Sequence, residues 1–329
     1  MKFLPSLLQI GSLSVEYRTG ETTAQAIKNV SVDLKRGETL GLVGESGSGK
    51  STLGFAIMGL IKPPGYLTSG RIVFEDTELL TLKREQMREI RGKKIAMIFQ
   101  DPMTSLNPVK KIGDHFVEYI RAHDNSVSVE NARSTAKTVL EDLGIPSSRI
   151  DDYPHQFSGG MRQRVMIGLG LALKPSLIIA DEPTTALDVI VEAQILKQLA
   201  ELKSKYSLSL ILITHNMGVV AEMADRVAVM YAGKIAEVAP AIDIFENAKH
   251  PYTQALLESI PNILTSERTL KAIPGSPPDL TDPPEGCLFH PRCPKAFDRC
   301  QREVPKPIVT GENSEAECFL LEGERARHS

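Results

Sequence analysis

Long apolar runs are missing from this chain. Nowhere in its 329 residues does a stretch approach the ~18–20 apolar residues that carry a helix across a bilayer, so no membrane-spanning helix is expected. Met1 to Ile10 is faintly leader-like, but its apolar run is short, Pro5 breaks it and no small-residue cleavage site follows. The expectation there is a short leading segment. A basic face is missing as well. Lys and Arg total 38 against 41 Asp and Glu, a formal net charge of −3, and no Lys/Arg-rich run stands out, which argues against a broad nucleic-acid surface. Trp is absent, and cysteine does not occur before position 287. Proline crowds the same end, with nine of the 21 between Pro274 and Pro307; such a segment does not build regular structure by itself. No internal repeat is apparent. The chain as a whole, 42% hydrophobic and 24% charged, has the composition of a soluble globular chain with a substantial core. Its length suits one large domain plus an appendage.

What is present begins with Gly44-Glu-Ser46-Gly47-Ser48-Gly49-Lys50-Ser51, which has the spacing of a phosphate-binding loop. The apolar stretch Thr39 to Val43 before it reads as a buried strand, and Thr52 to Leu60 after it reads as a helix. Gly44, Gly47 and Gly49 let the backbone curl so that N–H groups face inward. The helix N-terminus behind them adds partial positive charge. Ser46, Ser48 and Thr52 complete the expected phosphate cradle. Lys50 is expected to reach the β- and γ-phosphates, and the Ser51 hydroxyl to hold Mg²⁺.

Four further segments point to a nucleotide. Leu177 to Ala180 is an apolar run too short for a helix, so it reads as a central parallel strand. Asp181 and Glu182 close it, at the strand end where open α/β sheets place ligands. Asp181 suits a Mg²⁺ role, and Glu182 is the candidate that orients and deprotonates the attacking water. Gln100 ends the apolar run Ile95 to Phe99, and His215 follows Ser209 to Thr214; each carries a polar side chain to a strand end, toward Mg²⁺ or water and toward the γ-phosphate. Phe157-Ser158-Gly159-Gly160-Met161-Arg162-Gln163-Arg164 begins a second helix with exposed N–H groups. One nucleotide needs one phosphate loop, so a second anion-binding helix start makes sense if it serves the nucleotide of a partner subunit.

With these residues the chain resembles the nucleotide-binding subunit of an ABC transporter. The phosphate loop looks like Walker A, SLIIADEP like Walker B, and FSGGMRQR like the ABC signature. The usual leucine and glutamine of that signature are Phe157 and Met161 here, while Ser158, Gly159, Gly160 and Gln163 match. Gln100 looks like the Q-loop glutamine, Thr184 to Asp188 like the D-loop, and His215 like the switch histidine. Tyr17 stands where the family puts an aromatic under adenine. The resemblance implies an α/β fold: a P-loop ABC ATPase with a RecA-like core, an antiparallel β subdomain, a helical signature subdomain over about 103–172 and a Pro/Cys-rich C-terminal extension. The expected boundaries are 8–250 for the nucleotide-binding domain and 251–329 for the extension. Asp188 is expected to open a helix whose apolar positions include Ile190, Val191, Ile195, Leu199 and Leu202.

The extension sharpens the resemblance. HPYTQALLESIP and GSPPDLTDPPEGCLFHPRCPKAFDRC are similar to the C-terminal region of the oligopeptide/dipeptide transporter ATPases, with nickel and glutathione importers carrying related tails. That implies ATP hydrolysis with Mg²⁺ driving di- or oligopeptide import at the cytoplasmic face of the membrane. It also implies a sister ABC ATPase as heterodimer partner, two transmembrane permease subunits and, indirectly, a solute-binding protein. No nucleic-acid partner is expected. Cys287, Cys293, Cys300 and Cys318 are separated by five, six and seventeen residues, without the tight pairs of most zinc sites. Disulfides do not suit a cytosolic ATPase. Four thiolates can hold a [4Fe–4S] cluster, as the resemblance also implies, with Zn²⁺ or free thiols as alternatives. A soluble ABC ATPase of DNA repair or translation, or a nucleotide switch without turnover, are the readings of other classes.

Overall fold

The computed structural model of the chain describes residues 6–99, 106–184, 188–259 and 273–322. Its strands are β1 (Ser6–Thr19), β2 (Thr22–Lys35), β3 (Thr39–Val43), β4 (Gly65–Phe74), β5 (Thr77–Glu78) and β6 (Ile95–Ile98). They continue with β7 (Leu177–Asp181), β8 (Ser209–Ile213), β9 (Arg226–Tyr231), β10 (Lys234–Pro240), β11 (Ile308–Gly311) and β12 (Ser314–Ala316). The helices are α1 (Lys50–Ile57), α2 (Arg84–Ile90), α3 (Ile112–His123), α4 (Val129–Asp142) and α5 (Gly159–Leu171). After them come α6 (Val189–Tyr206), α7 (Met217–Met223), α8 (Ala241–Asn247), α9 (Pro251–Glu258) and α10 (Asp298–Arg302).

Two units divide the chain: 1–34, 39–80 and 213–329 form the first, and 35–38 with 81–212 the second. In the first unit, β2-β1-β4-β5 make an antiparallel sheet at the front of the chain. A second set of strands runs β11-β12-β10-β9-β3, with β3 parallel to β9 and the rest antiparallel. Every residue of β3 and β9 is buried, as strands covered on both faces require. Helix α7 lies close on β3 because Gly41 has no side chain: a Cβ there would stand 2.8 Å from Val220 Cγ1.

The core of this unit joins Val43, Val220, Val227, Val229 and Tyr231 to Tyr252 and Phe289. Phe289 is 2% exposed, and its ring meets those of Tyr231 and Tyr252 at 5.2 and 5.3 Å between centroids. The C-terminal extension is thereby tied into this unit: it lends Phe289 to the core, and β11 and β12 lengthen the sheet beyond β10.

In the second unit the strands run β8-β7-β6, with β6 parallel to β7. All five residues of β7 and of β8 are buried. Helices α3, α4 and α5 bury Ile112, Phe116 and Ile120, then Ala132, Ala136 and Val139, then Val165, Ile167 and Leu171. Helix α4 starts on Ser128, whose hydroxyl accepts the Asn131 N–H, and Gly144 follows its end at φ 68°, a conformation that favours glycine. On α6, Ile195, Leu199 and Leu202 are buried as expected, but Ile190 is 72% exposed. At 3.6 residues per turn it stands about 140° around the helix from Ile195.

Candidate functional site

Strand β3 delivers the chain into the phosphate loop and α1 carries it away. Gly44, Gly47 and Gly49 have φ of 146°, 77° and 103°, the region that favours glycine. Two of them are also pressed by backbone: a Cβ would stand 2.1 Å from the Met230 carbonyl oxygen at Gly44 and 2.4 Å from that of Ala26 at Gly49. Around Gly47 there is open space, so its requirement is the dihedral alone. Lys50 is buried in the first turn of α1. Its Nζ donates to Gly44 O at 2.7 Å, Glu45 O at 2.9 Å and Ser48 Oγ at 3.4 Å. Phosphate oxygens are the kind of acceptor that can take over those donors.

Glu45 is gripped from outside the loop. Its N–H donates to Tyr252 Oη at 3.0 Å. Both its carboxylate oxygens accept from Arg292, at 2.7 and 3.0 Å. His215 is exposed where β8 ends. The preceding Thr214 N–H donates to Leu42 O at 3.2 Å, so that strand end lies beside the strand entering the loop. Asn216 then caps α7, its Oδ1 accepting from the N–H groups of Gly218 and Val219. Tyr17 is half-buried on β1, paired with Gly65 of β4. A Cβ at Gly65 would stand 2.8 Å from Tyr17 Cε1, so the tyrosine ring rests against the bare glycine.

In the second unit, Asp181 is the buried last residue of β7. Glu182 follows at φ 46°, a left-handed conformation that costs a non-glycine residue on the order of 1–3 kcal/mol and concentrates at functional sites. Thr184 Oγ1 donates to Glu192 at 2.8 Å, and Asp188 caps α6 by accepting the Val191 N–H at 3.0 Å. Ser158 caps α5 by accepting the Met161 N–H at 3.4 Å. A Cβ on Gly160 would stand 2.6 Å from Val191 Cγ1, so the starts of α5 and α6 are packed together. The two departures from the usual signature share one support. The Arg149 guanidinium lies 4.2 Å from the Phe157 ring centroid and donates to Met161 Sδ at 3.4 Å. Gln163 is 2% exposed, and its Nε2 has no partner among the described residues. Gln100 and residues 185–187 lie outside the described residues.

Comparison with known proteins decides the family. The ABC transporter family model matches residues 27–185, and that of the oligopeptide/dipeptide transporter C-terminal region matches 236–300. The dipeptide transport ATP-binding protein DppD of Bacillus subtilis is 46% identical over 99% of this chain and 98% of its own. The oligopeptide transport ATP-binding protein OppD of the same organism is 52% identical over 96% and 89%. DppD of Escherichia coli is 44% identical over 95% and 96%. Among solved structures, a dimeric ATP-binding cassette in a post-hydrolysis state bound to ADP and Pi matches with a TM-score of 0.64 and 28% identity, over 71% of this chain and 98% of that one.

The chain belongs to the ATP-binding proteins of the oligopeptide/dipeptide ABC transporters.

As an ABC ATP-binding protein it has the P-loop cassette fold and is an ATPase coupled to transport. Its family-specific HPY segment now has a physical reading. His250 Nδ1 accepts the Tyr252 N–H at 3.0 Å and so caps α9. Pro251 fits the first helical position, and Tyr252 is thereby aimed at the phosphate loop. Burial and the Glu45 carboxylate push the Tyr252 phenol well above its usual range, against the opposing effect of the Glu45 N–H. Sequence reasoning picks out the segment but misses Glu45, Tyr252 and Arg292 as neighbours. Only the HPY spacing hints at a helix start there.

All four cysteines of the ABC ATP-binding protein, with His250 and His290, line one cavity, and the Cys287 N–H donates to Cys300 O at 2.8 Å. Burial raises the thiols of Cys287 and Cys293, and pushes that of Cys318 up to about 11. Among the described residues, no three His, Cys, Asp or Glu are arranged to hold a metal ion.

Proposed function

We propose that this subunit hydrolyses ATP to drive import of di- or oligopeptides, paired with a sister ABC ATPase against two transmembrane permease subunits fed by a solute-binding protein. We place it peripherally, at the cytoplasmic face of the membrane; among the described residues no helix is long and apolar enough to cross one. Residues 8–250 are read as the nucleotide-binding domain and 251–329 as its extension. The observation that carries the reading is one chain holding both a lysine-braced phosphate loop and a second, serine-capped helix start at Ser158.

In this reading ATP lies between the phosphate loop of one subunit and the signature of its partner. Tyr17 stacks on adenine, while Gly44, Ser46, Gly47, Ser48, Gly49 and Thr52 surround the phosphates. Lys50 exchanges its loop oxygens for β- and γ-phosphate oxygens. Ser51, Gln100 and Asp181 hold Mg²⁺, which when bound neutralises phosphate charge. Glu182 takes a proton from the attacking water as the water oxygen bonds to the γ-phosphorus and the bond to the bridging oxygen of ADP breaks. His215 donates to the γ-phosphate. Ser158, Gly159, Gly160 and Gln163 serve the partner's ATP, with Asp188 at the shared boundary. Loss of the γ-phosphate removes the contacts that close the dimer, so it reopens.

The test is the assembled complex in liposomes. Peptide-stimulated phosphate release, and an ATP-loaded dimer arrested by Glu182→Gln, are expected. Near-normal turnover by that variant would overturn the assigned base, and stimulation by nickel or glutathione in place of peptide would overturn the substrate class.

For the thiols we propose a [4Fe–4S] cluster, with Zn²⁺ as the alternative. Support comes from four cysteines lining one cavity, the number of thiolates such a cluster takes. Burial disfavours thiolates there unless cationic iron offsets their charge. When bound, the cluster supplies a cross-link among separated parts of the extension. Iron and acid-labile sulfide, assayed on anaerobically purified protein, should both be present; zinc without iron would sink the proposal.

A further inference from the structure

The first peptide of the phosphate loop is held from both sides. Its Gly44 carbonyl accepts Lys50 Nζ at 2.7 Å, while its Glu45 N–H donates to Tyr252 Oη at 3.0 Å. In a trans peptide these two groups point in opposite directions, so Lys50 and Tyr252 together hold the plane here, and Tyr252 keeps its hold when Lys50 turns to phosphate. The Glu45 side chain is fixed separately. Arg292 donates to both its oxygens, a fork geometry that lysine cannot reproduce. Arg292 is itself immobilised: Nε donates to Pro274 O at 2.8 Å and Nη1 also reaches Tyr231 Oη at 3.3 Å. Every nitrogen of its guanidinium is engaged, and the side chain is almost fully buried.

We propose that Arg292, acting through Glu45, is a positioning residue for the phosphate loop, so that the C-terminal extension sets the affinity of the subunit for ATP. The inference rests on the loop being the ATP site. A loop that holds the phosphates less well loses binding to ground state and transition state alike, which raises KM and leaves kcat. A role confined to fold stability would lower the active fraction instead, reducing the apparent kcat at unchanged KM.

The experiment uses the full-length subunit in the assembled complex. Steady-state ATPase and binding of a fluorescent ATP analogue are measured for Arg292→Ala, Arg292→Lys, Glu45→Gln, Tyr252→Phe and the Arg292→Ala/Glu45→Gln double variant. Arg292→Ala should raise KM and weaken analogue binding about tenfold, the order expected for a hydrogen-bonded charged group, with kcat within about twofold. Arg292→Lys should recover part of the loss. The double variant should be no worse than the worse single one. Tyr252→Phe, which keeps the aromatic packing and removes only the acceptor, should raise KM without lowering the thermal midpoint by more than a few degrees. Unchanged KM in Arg292→Ala and Tyr252→Phe, or loss of kcat alone, would overturn the inference. Lys50→Ala separates the two readings. If it binds the analogue normally, the ATP-site reading fails; if it loses binding while the Arg292 variants keep theirs, only the positioning role fails.

Discussion

His250 makes the stability of this protein depend on pH in a direction that can be worked out. The imidazole is buried, and its Nδ1 must be unprotonated to accept the Tyr252 N–H. Burial lowers the pKa from 6.5 to about 4. A backbone hydrogen bond with Glu317 works the other way and favours the protonated ring, but burial prevails. Below about pH 6.5 the unfolded chain therefore takes up a proton that the folded chain refuses. The contribution is complete above the unfolded value, falls as pH drops through this window and is exhausted near pH 4. A drop from 6.5 to about 4 corresponds to roughly 3 kcal/mol.

Neighbouring acidic groups bear on the comparison. The Glu237 carboxylate accepts the N–H groups of Lys249 and His250 at 2.7 and 3.0 Å. Glu317, paired with Lys234 and raised by burial, works in the opposite sense, since a carboxyl with a raised folded pKa favours the fold at low pH. The informative quantity is thus the difference between wild type and His250→Asn, because asparagine keeps a helix-capping acceptor without titrating. Urea unfolding at half-unit steps from pH 7.5 to 4 should show wild type losing about 3 kcal/mol relative to the variant. A difference that stays flat across that range would refute the assignment of a buried neutral imidazole.

Two further outcomes are expected. Gly47→Ala and Gly49→Ala both place alanine at positive φ, but only Gly49 has a carbonyl 2.4 Å from the new Cβ; Gly47→Ala should cost about 1–2 kcal/mol and Gly49→Ala clearly more, together with ATP binding. Equal urea midpoints would refute the close-approach argument. Phe289→Ala should cost about 3–5 kcal/mol and expose the extension to limited proteolysis, whereas a loss below about 1 kcal/mol would mean the ring trio is not a core.

The elements most legible in the sequence are those defined by local pattern. Thr39 to Val43 announces β3 because five small or apolar residues precede a glycine-rich turn, and Leu177 and Ser209 begin runs too short to be anything but buried strands. Ser158 and Asp188 announce helix starts because each side chain can cap the first turn beyond it. The hidden contacts are those between residues far apart in the chain. Glu45 and Arg292 lie 247 residues apart, and no periodicity connects them. The proline-rich tail reads as a segment that does not build regular structure by itself, but composition is silent about what it lends to another element. Nor can it show that Arg149 supports both Phe157 and Met161, a contact spanning a cap, a turn and a helix start.

The ring of Phe289 has a consequence for how the protein is made. Val43 and Phe289 belong to the same core, so the strand that enters the phosphate loop waits for its last packing partner until nearly the whole chain has been synthesised. At roughly 5–20 residues per second, the 247 residues between Glu45 and Arg292 correspond to about 12–50 s of translation. During that interval the nascent loop lacks its brace, and the apolar faces of β3 and β9 lack Phe289. A ribosome stalled before codon 289 would therefore present an unfinished nucleotide core to chaperones and proteases, and a C-terminal truncation that removes Phe289 would act on the beginning of the protein.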